Sequence, residues 1–270
     1  MAGRYFNWKL ALVLLISLIA LGVTAFGLRQ WQRSTRAEEG LRLGEEAFEA
    51  QNWQQAVQQL GRYVGVRRDD VSALLKYAEA HLNIRPPKQT NIKQAIGAYR
   101  TVLREDPNNA EAVIQLAHLY LDVTNMAGEA ELITGRYIER HNDVKVQLAL
   151  ASSLKAQRKF AEAAEQLKTV IDRDPNQIEP YEMLGQLAEQ QPDIFSAPPE
   201  QWYDQAIRNN PSSPLAYIAR AGYYLRHGDR AGAETDLVQA EKLEPQDATV
   251  AMRLALALWN AGHPDRAEVQ

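Results

Sequence analysis

The chain has 270 residues and no cysteine. That absence excludes a disulfide scaffold, a thiolate metal site, iron–sulfur ligation and a cysteine nucleophile. It does not fix a compartment. Surplus positive charge is missing as well. The formal net charge is −4 and the sequence pI about 5.8, which argues against a general nucleic-acid binder. There is no G-x-x-x-x-G-K-[ST], no G-x-G-x-x-G, no G-x-S-x-G and no H-E-x-x-H. His81, His118, His141, His227 and His263 stand apart, with no i,i+3 or i,i+4 pair to hold a metal. They read as solvated or hydrogen-bonded histidines. Glu38-Glu39 and Glu45-Glu46 read as solvated helix faces. Trp8, Trp31, Trp53, Trp202 and Trp259 show no interleaving with basic residues, so no single-strand nucleic-acid platform is indicated. No catalytic residue, cofactor or metal is assigned, and the chain does not read as an enzyme.

Acids are absent from residues 1–36, which carry Arg4, Lys9, Arg29, Arg33 and Arg36. The 34 acids of the chain therefore all fall in residues 37–270. Two physically different segments join near residue 37. The basic one encloses Leu10 to Leu28, LALVLLISLIALGVTAFGL, without a charge. As a helix this run spans roughly 28 Å, close to the hydrocarbon thickness of a bilayer. It is apolar on every side, and Trp8 and Trp31 flank it where amphipathic aromatics favour the headgroups. The expectation is a single-pass transmembrane helix at 10–28. A signal peptide cleaved at Val23-Thr24-Ala25 is the alternative, but the apolar run continues past that site into a basic stop. Flanking positive charge is nearly balanced between the two ends and slightly favours a cytoplasmic C-terminal side. Long domains translocate largely regardless of it, so the bulk of the chain is expected on the extracytoplasmic, periplasmic side.

With 46% hydrophobic and 24% charged residues the whole chain has the composition of a folded protein. Its order is periodic. Small residues recur at Gly44, Ala78, Ala117, Ala151, Gly185, Ala221 and Ala255, spaced by 34, 39, 34, 34, 36 and 34. A second small residue follows twelve positions after several of them, at Ala56, Ala163, Ala233 and Ala267, with Ala95 and Ala130 displaced by insertions. Pro107, Pro175, Pro211 and Pro245 close units. The spacing predicts hairpins of two helices that approach closely where small residues cross. Leu60, Tyr99, Leu167 and Leu237 are expected to fill the core. Turns fall at Gln51-Asn52, Gly228-Asp229 and Gly262-His263, and proline ends each hairpin because it cannot continue a helix.

This register resembles the tetratricopeptide repeat (TPR) family over about residues 37–270. The carrying residues include Leu43-Gly44 with Trp53 and Ala56; Tyr77-Ala78 with Ala95, Tyr99 and Pro107; Leu116-Ala117 with Tyr120 and Ala130; Leu150-Ala151 with Phe160, Ala163 and Pro175; Leu184-Gly185 with Ala206 and Pro211; Ala221 with Tyr224, Ala233, Ala240 and Pro245; and Leu254-Ala255 with Ala267. The departures are extra residues around Arg85-Pro86-Pro87-Lys88, a Pro199 where a small residue is usual, and a third repeat without its closing proline.

The expected fold is therefore all-α, an N-terminal transmembrane helix followed by an α-solenoid of about seven hairpins. The domains are a basic tail and anchor at 1–36 and a solenoid at 37–270. Its repeats fall at about 37–70, 71–109, 110–143, 144–177, 178–213, 214–247 and an incomplete 248–270. That incompleteness, with Leu254, Leu256 and Leu258 left without a following repeat, leads to the expectation of further repeats or an oligomer contact beyond Gln270.

The resemblance implies a concave groove lined by the first helices, three residues before the first small residue and one, four and five after it. That gives Leu41, Glu45 and Phe48 in repeat 1 and Glu79 and Leu82 in repeat 2. His118 and Leu121 follow in repeat 3, Lys155 in repeat 4, and Glu182, Gln186 and Glu189 in repeat 5. Ile218, Leu225 and Arg226 follow in repeat 6, and Met252, Leu256 and Trp259 in repeat 7. These acids and aliphatics do not suit an acidic peptide tail. A protein or peptide ligand with apolar anchors and some basic residues fits better. The functional expectation is a membrane-anchored scaffold in bacterial envelope assembly, secretion or export. A soluble periplasmic adaptor and the regulatory front of a longer enzyme remain the alternatives.

Overall fold

A computed structural model describes the backbone of residues 8–268, and the side chains of these except at 8–11, 13, 14, 16 and 20. The described residues are helical throughout, with no strand among them. They divide into two compact units, residues 1–116 and 117–270.

The first unit opens with α1 (Trp8–Glu49), a continuous helix of 42 residues. Among the described residues nothing packs over its outer stretch: Leu12, Leu15, Leu18, Ile19, Leu21, Val23, Phe26, Leu28 and Trp31 are 56–72% exposed. Its inner stretch is packed. Ala37, Gly40, Gly44 and Ala47 are buried at spacings that place them on one helical face. They receive α2 (Trp53–Val64), whose Ala56, Leu60 and Tyr63 are buried in return. The crossing is close: a Cβ on Gly44 would stand 2.8 Å from the Leu60 side chain and 2.9 Å from its backbone nitrogen. Among the described residues no helix is long and apolar enough to cross a membrane. Leu10, Ala11, Val13, Leu14, Ile16 and Ala20 of the 10–28 run have side chains outside the described set. The described residues therefore do not by themselves support the transmembrane helix expected at 10–28.

The second hairpin pairs α3 (Val71–Asn83) with α4 (Gln89–Glu105), and α5 (Ala110–His118) begins the third. Ala78 and Ala95 are fully buried at the crossing, with Tyr99 beside them. His81 is also buried, edge-on to Tyr77 at 4.5 Å. Asp70 caps α3 by accepting from the Ala73 N–H at 3.0 Å, and Asn109 accepts from the Ala112 N–H at 2.9 Å. Each satisfies a donor that a helix start leaves free.

In the second unit a π-helical turn, Leu119–Val123, follows α5 and leads to α6 (Ala127–Ile138). Then come α7 (Val144–Ala156) with α8 (Phe160–Arg173), α9 (Glu179–Gln190) with α10 (Glu200–Asn209), α11 (Pro214–Arg226) with α12 (Arg230–Lys242), and α13 (Ala248–Ala261) with the short α14 (Pro264–Ala267). Ala151 and Ala163, and Ala221 and Ala233, are fully buried pairs. At the fifth repeat glycine replaces the first alanine and a tyrosine fills the gap. A Cβ on Gly185 would lie 2.4 Å from the Tyr203 ring. First helices end on a residue with positive φ where the hairpin is short: Gln51, Asn125, Arg158, Gly228 and Gly262, at φ 52–92°. The left-handed residue reverses the chain without a longer loop. The insertions in repeats 2 and 5 take its place there.

Arg220 holds the sixth hairpin to the fifth. It donates twice to the buried Asp236 at 2.8 Å and once to Asp204 at 2.6 Å. These hydrogen bonds hold the guanidinium charged, well above its ordinary range, against the opposing cost of burial.

One expectation is corrected here. Leu254 and Leu258 are not left bare: both are fully buried against the sixth hairpin. On the same helix only Met252, Leu256 and Trp259 stand open among the large apolar side chains, at 60–67% exposure.

Candidate partner-binding surface

Five of the residues assigned to the groove converge in the second unit. Glu182 of α9, Ile218, Leu225 and Arg226 of α11 and Leu256 of α13 line one hollow of about 500 Å³, joined by Gly222, Arg253, Ala257 and Asn260. Met252, Leu256 and Trp259 lie at i, i+4 and i+7, on one face of α13. The stripe therefore extends along the rim of the hollow. Ile218 is 5% exposed, so it forms the floor rather than a free anchor.

The charges in this hollow are already spoken for. Arg253 donates to Glu182 at 2.9 Å, tying the seventh repeat to the fifth. Arg226 donates to Glu189 at 2.8 Å and to the Tyr203 hydroxyl at 3.1 Å. Tyr203 itself donates to Glu189 at 3.1 Å. Burial and the Glu189 charge push the Tyr203 phenol well above its ordinary range, so it stays a neutral donor. The Glu189 hydrogen bond likewise raises Arg226. Glu182 and Glu189 therefore do not wait for a basic ligand. Their pairing leaves Leu225 and Leu256 as the large apolar side chains at the open side of the hollow. Arg253, which closes Glu182, was missed because it falls outside the offsets the repeat pattern nominates.

The remaining positions are scattered. Lys155 and Gln186 are half-buried and do not line the hollow. His118 is exposed, and Leu121 is half-buried within the π turn. There the Thr124 N–H bonds the Leu119 carbonyl five residues back at 3.1 Å. The wider turn rotates every later side chain of that helix. Offsets counted on an ideal α-helix therefore do not place Leu121. In the first unit Leu41 and Phe48 pack against the core of the first hairpin, with Phe48 edge-on to Trp53 at 5.4 Å. Glu45 pairs with Lys76 at 2.5 Å, Glu79 is exposed, and Leu82 is half-buried. Among the described residues no group of three histidines, aspartates or glutamates could hold a metal ion.

Helical hairpins of this size, crossing at small residues and packed side by side within each unit, define an α-solenoid of the helix–turn–helix repeat class. A family profile described as Tetratricopeptide repeat matches residues 41–85, 148–214 and 218–270, more than half of the chain. The chain belongs to the tetratricopeptide repeat family. No curated protein sequence matches it. Solved structures similar to it include the C-terminal part of a TPR repeat-containing protein from Cytophaga hutchinsonii, at 16% identity and a TM-score of 0.58, covering 87% of this chain and 94% of that one. PilW, described as a widely conserved type IV pilus biogenesis factor, is 14% identical with a TM-score of 0.55, covering 82% and 98%. PilF of Pseudomonas aeruginosa is 18% identical with a TM-score of 0.51, covering 80% and 95%. At these identities the likeness is one of fold.

Proposed function

We propose that this TPR protein is a membrane-anchored scaffold that binds a segment of a partner protein through aliphatic anchors in its carboxyl-terminal hairpins. The observation that carries the binding half is the hollow at Leu225 and Leu256 with the open stripe of Met252 and Trp259 beside it. An apolar row on one helix face, rimmed by polar groups, is what a helical or extended peptide with spaced apolar side chains recognises. Because the arginines and glutamates pair with each other, the ligand need not be strongly charged.

The anchoring half rests on the apolar run at 10–28 and on the exposed side chains from Leu12 to Trp31. Such a surface is costly in water and favourable in hydrocarbon. A tether confines the array to the membrane surface and raises its effective concentration toward partners there. The proposed setting is the bacterial envelope, with the array on the periplasmic face and a role in assembly or export. The fold shared with PilW, a pilus biogenesis factor, is an analogy in its favour.

Affinity capture from solubilised membranes tests the binding half. Leu256→Glu together with Trp259→Glu, both at exposed positions, should strip the specifically retained partners and leave the thermal transition of the array in place. A loss of about 2 kcal/mol or more per central anchor is expected for such truncations. An unchanged set of partners would rule out this hollow. Resistance to an alkaline carbonate wash tests the anchor, and protease accessibility in spheroplasts tests the side.

A further inference from the structure

His81 occupies a core position that the other repeats fill with side chains uncharged near neutral pH. It stands three residues after Ala78, the small residue of its crossing. The same register gives Ala47, Tyr120, Leu154, Ala188, Tyr224 and Leu258 elsewhere in the array. All but the half-buried Tyr224 are at most 5% exposed. Only the second repeat places there a group that can take a charge near neutral pH. Against the expectation of a solvated or hydrogen-bonded ring, His81 is 6% exposed. Neither of its nitrogens has a hydrogen-bond partner among the described residues.

The surroundings offer the ring no counter-charge. On α3 itself it faces Tyr77, while Lys76 is turned to Glu45 of α1 at 2.5 Å and Glu79 is exposed. From α4 the neutral Asn91 approaches and favours the protonated ring, but it closes no bond to either nitrogen. The charged side chains of α4, Lys93, Arg100, Arg104 and Glu105, are exposed, and burial holds the Tyr99 phenol above its ordinary range. The helix α2 meets the Tyr77 ring through Gly61, and its two ionisable groups are committed elsewhere, Arg62 to Gln59 and Tyr63 to Asp70. Burial outweighs Asn91 and holds the His81 imidazole below its ordinary value.

A neutral imidazole leaves one donor and one acceptor unmet at this site. The protonated ring leaves two donors and a full charge unmet, which costs far more. We infer that His81 is an acid switch for the second hairpin: as pH falls below about 6.5 the ring gains its proton by leaving the core, α3 and α4 part, and their buried crossing at Ala78, Ala95 and Tyr99 is uncovered. The sign follows from linkage. The open chain takes the proton near its ordinary value of about 6.5, and the closed hairpin takes it only at lower pH. The stabilisation is therefore full above that value and is lost as pH falls through it. The switch lies within the first unit and stands independently of the proposed hollow and anchor.

Segment-resolved hydrogen exchange of the full chain in a neutral detergent, corrected for the intrinsic pH dependence of exchange, reads the opening constant of residues 71–105. Wild type should open up to about 30-fold more at pH 5 than at pH 7.5, the ratio set by an ordinary imidazole in the open state and an excluded proton in the closed one. The helices α7 and α8 of the second unit report the general effect of acid and should show a much smaller ratio. His81→Phe, and His81→Leu as the smaller replacement, should bring the ratio for 71–105 down to that of α7 and α8. His118→Gln, which removes an exposed imidazole, should leave it at the wild-type value. Carbon-13 NMR of labelled imidazoles should show His81 still neutral at pH 5.5 in protein whose second hairpin is closed. A ratio that ignores both His81 substitutions, or a His81 that takes its proton while 71–105 stays protected, overturns the inference. If neither variant folds, the imidazole spectrum decides alone: protonation that coincides with opening supports the switch, and protonation in the closed hairpin defeats it.

Discussion

One helix, α1, contains two stretches that obey opposite rules. Residues 12–31 are the more hydrophobic, and their described side chains are exposed; residues 37–49 are the less hydrophobic and are packed. The inner stretch buries Ala37, Gly40, Gly44 and Ala47, small residues that let α2 approach. The outer stretch offers Leu, Ile, Phe and Trp with no helix laid against them among the described residues. Burial in this chain is thus decided by whether a partner surface fits, and hydrophobicity alone does not predict it. Among the described residues no helix covers that apolar surface. That contrast connects the sequence of α1 to its proposed role.

The contrast breaks most sharply if charge enters the outer stretch. Leu18→Arg with Leu21→Arg places two guanidiniums near the centre of the 10–28 run. The cost in a bilayer is about 3 kcal/mol for each, whereas in water the two exposed sites should tolerate it. The double variant should leave the membrane fraction for the soluble one, with its urea midpoint unchanged. A variant that remains in the membrane fraction through an alkaline wash would show that another part of the chain does the anchoring. A fallen urea midpoint would show that the outer stretch packs on the array after all.

The inner stretch should respond in the reverse sense. Leu60 is fully buried between α1 and α2. Leu60→Ala should cost about 2 to 5 kcal/mol in the stability of the first unit, through lost burial and the cavity left behind. Membrane association should not change. Hydrogen exchange resolved by segment would read this directly, with protection lost at 37–64 and kept in α7 and α8 of the second unit. Uniform loss across both units would mean that they unfold as one.

Much of this architecture was legible because helix crossings need small residues at fixed intervals. Ala78 with Ala95, Ala151 with Ala163 and Ala221 with Ala233 were expected at crossings, and each pair is fully buried. The core expected at Leu60, Tyr99, Leu167 and Leu237 is likewise buried. What escaped depended on non-local pairing or on backbone geometry. No local pattern tells that Arg253 reaches Glu182, 71 residues away. The π turn at Leu119–Val123 has no simple residue signature, yet it displaces the register that assigned Leu121 to the groove. The repeat period also treats all units alike, and so it could not show that the chain divides between Leu116 and Ala117. Leu256 was nominated together with Leu254 and Leu258 as uncovered. Only the hairpin's actual helix faces separate the first from the other two.

A milder test concerns how tightly the inner crossing is tuned. Gly44→Ala adds one methyl group, which would meet Leu60 at 2.8 Å and its backbone at 2.9 Å. Overpacking of this kind should cost about 1 to 3 kcal/mol. Combining it with Leu60→Ala separates the two obstacles. If the side chain is the main one, the double variant should be less destabilised than the sum of the singles. If the backbone is, the two losses should simply add. A neutral Gly44→Ala would mean that the helices part easily, and the rule that only small residues fit here would fail.

The smallest expected effect lies where the inner stretch meets the second hairpin. Tyr63 packs with Ala37 of α1 and Ala73 of α3, and its hydroxyl donates to Asp70 at 2.8 Å. Asp70 in turn caps α3. Burial, reinforced by the Asp70 bond and charge, pushes the Tyr63 phenol up to about 12, from an ordinary value near 10. Between these values the folded protein keeps its proton while the unfolded chain gives it up, so rising pH favours unfolding. The contribution is fully present below about pH 10 and is lost as pH rises through about 12. Tyr63→Phe removes the bond, at a cost of about 1 kcal/mol near neutrality, and removes the ionisation as well. Other tyrosines titrate in the same range, so the informative quantity is the difference between the two proteins' urea midpoints. That difference should shrink as pH climbs past 10, because wild type loses what the variant never had. A constant difference would place the Tyr63 hydroxyl in solvent and detach α3 from the buried foot of α1.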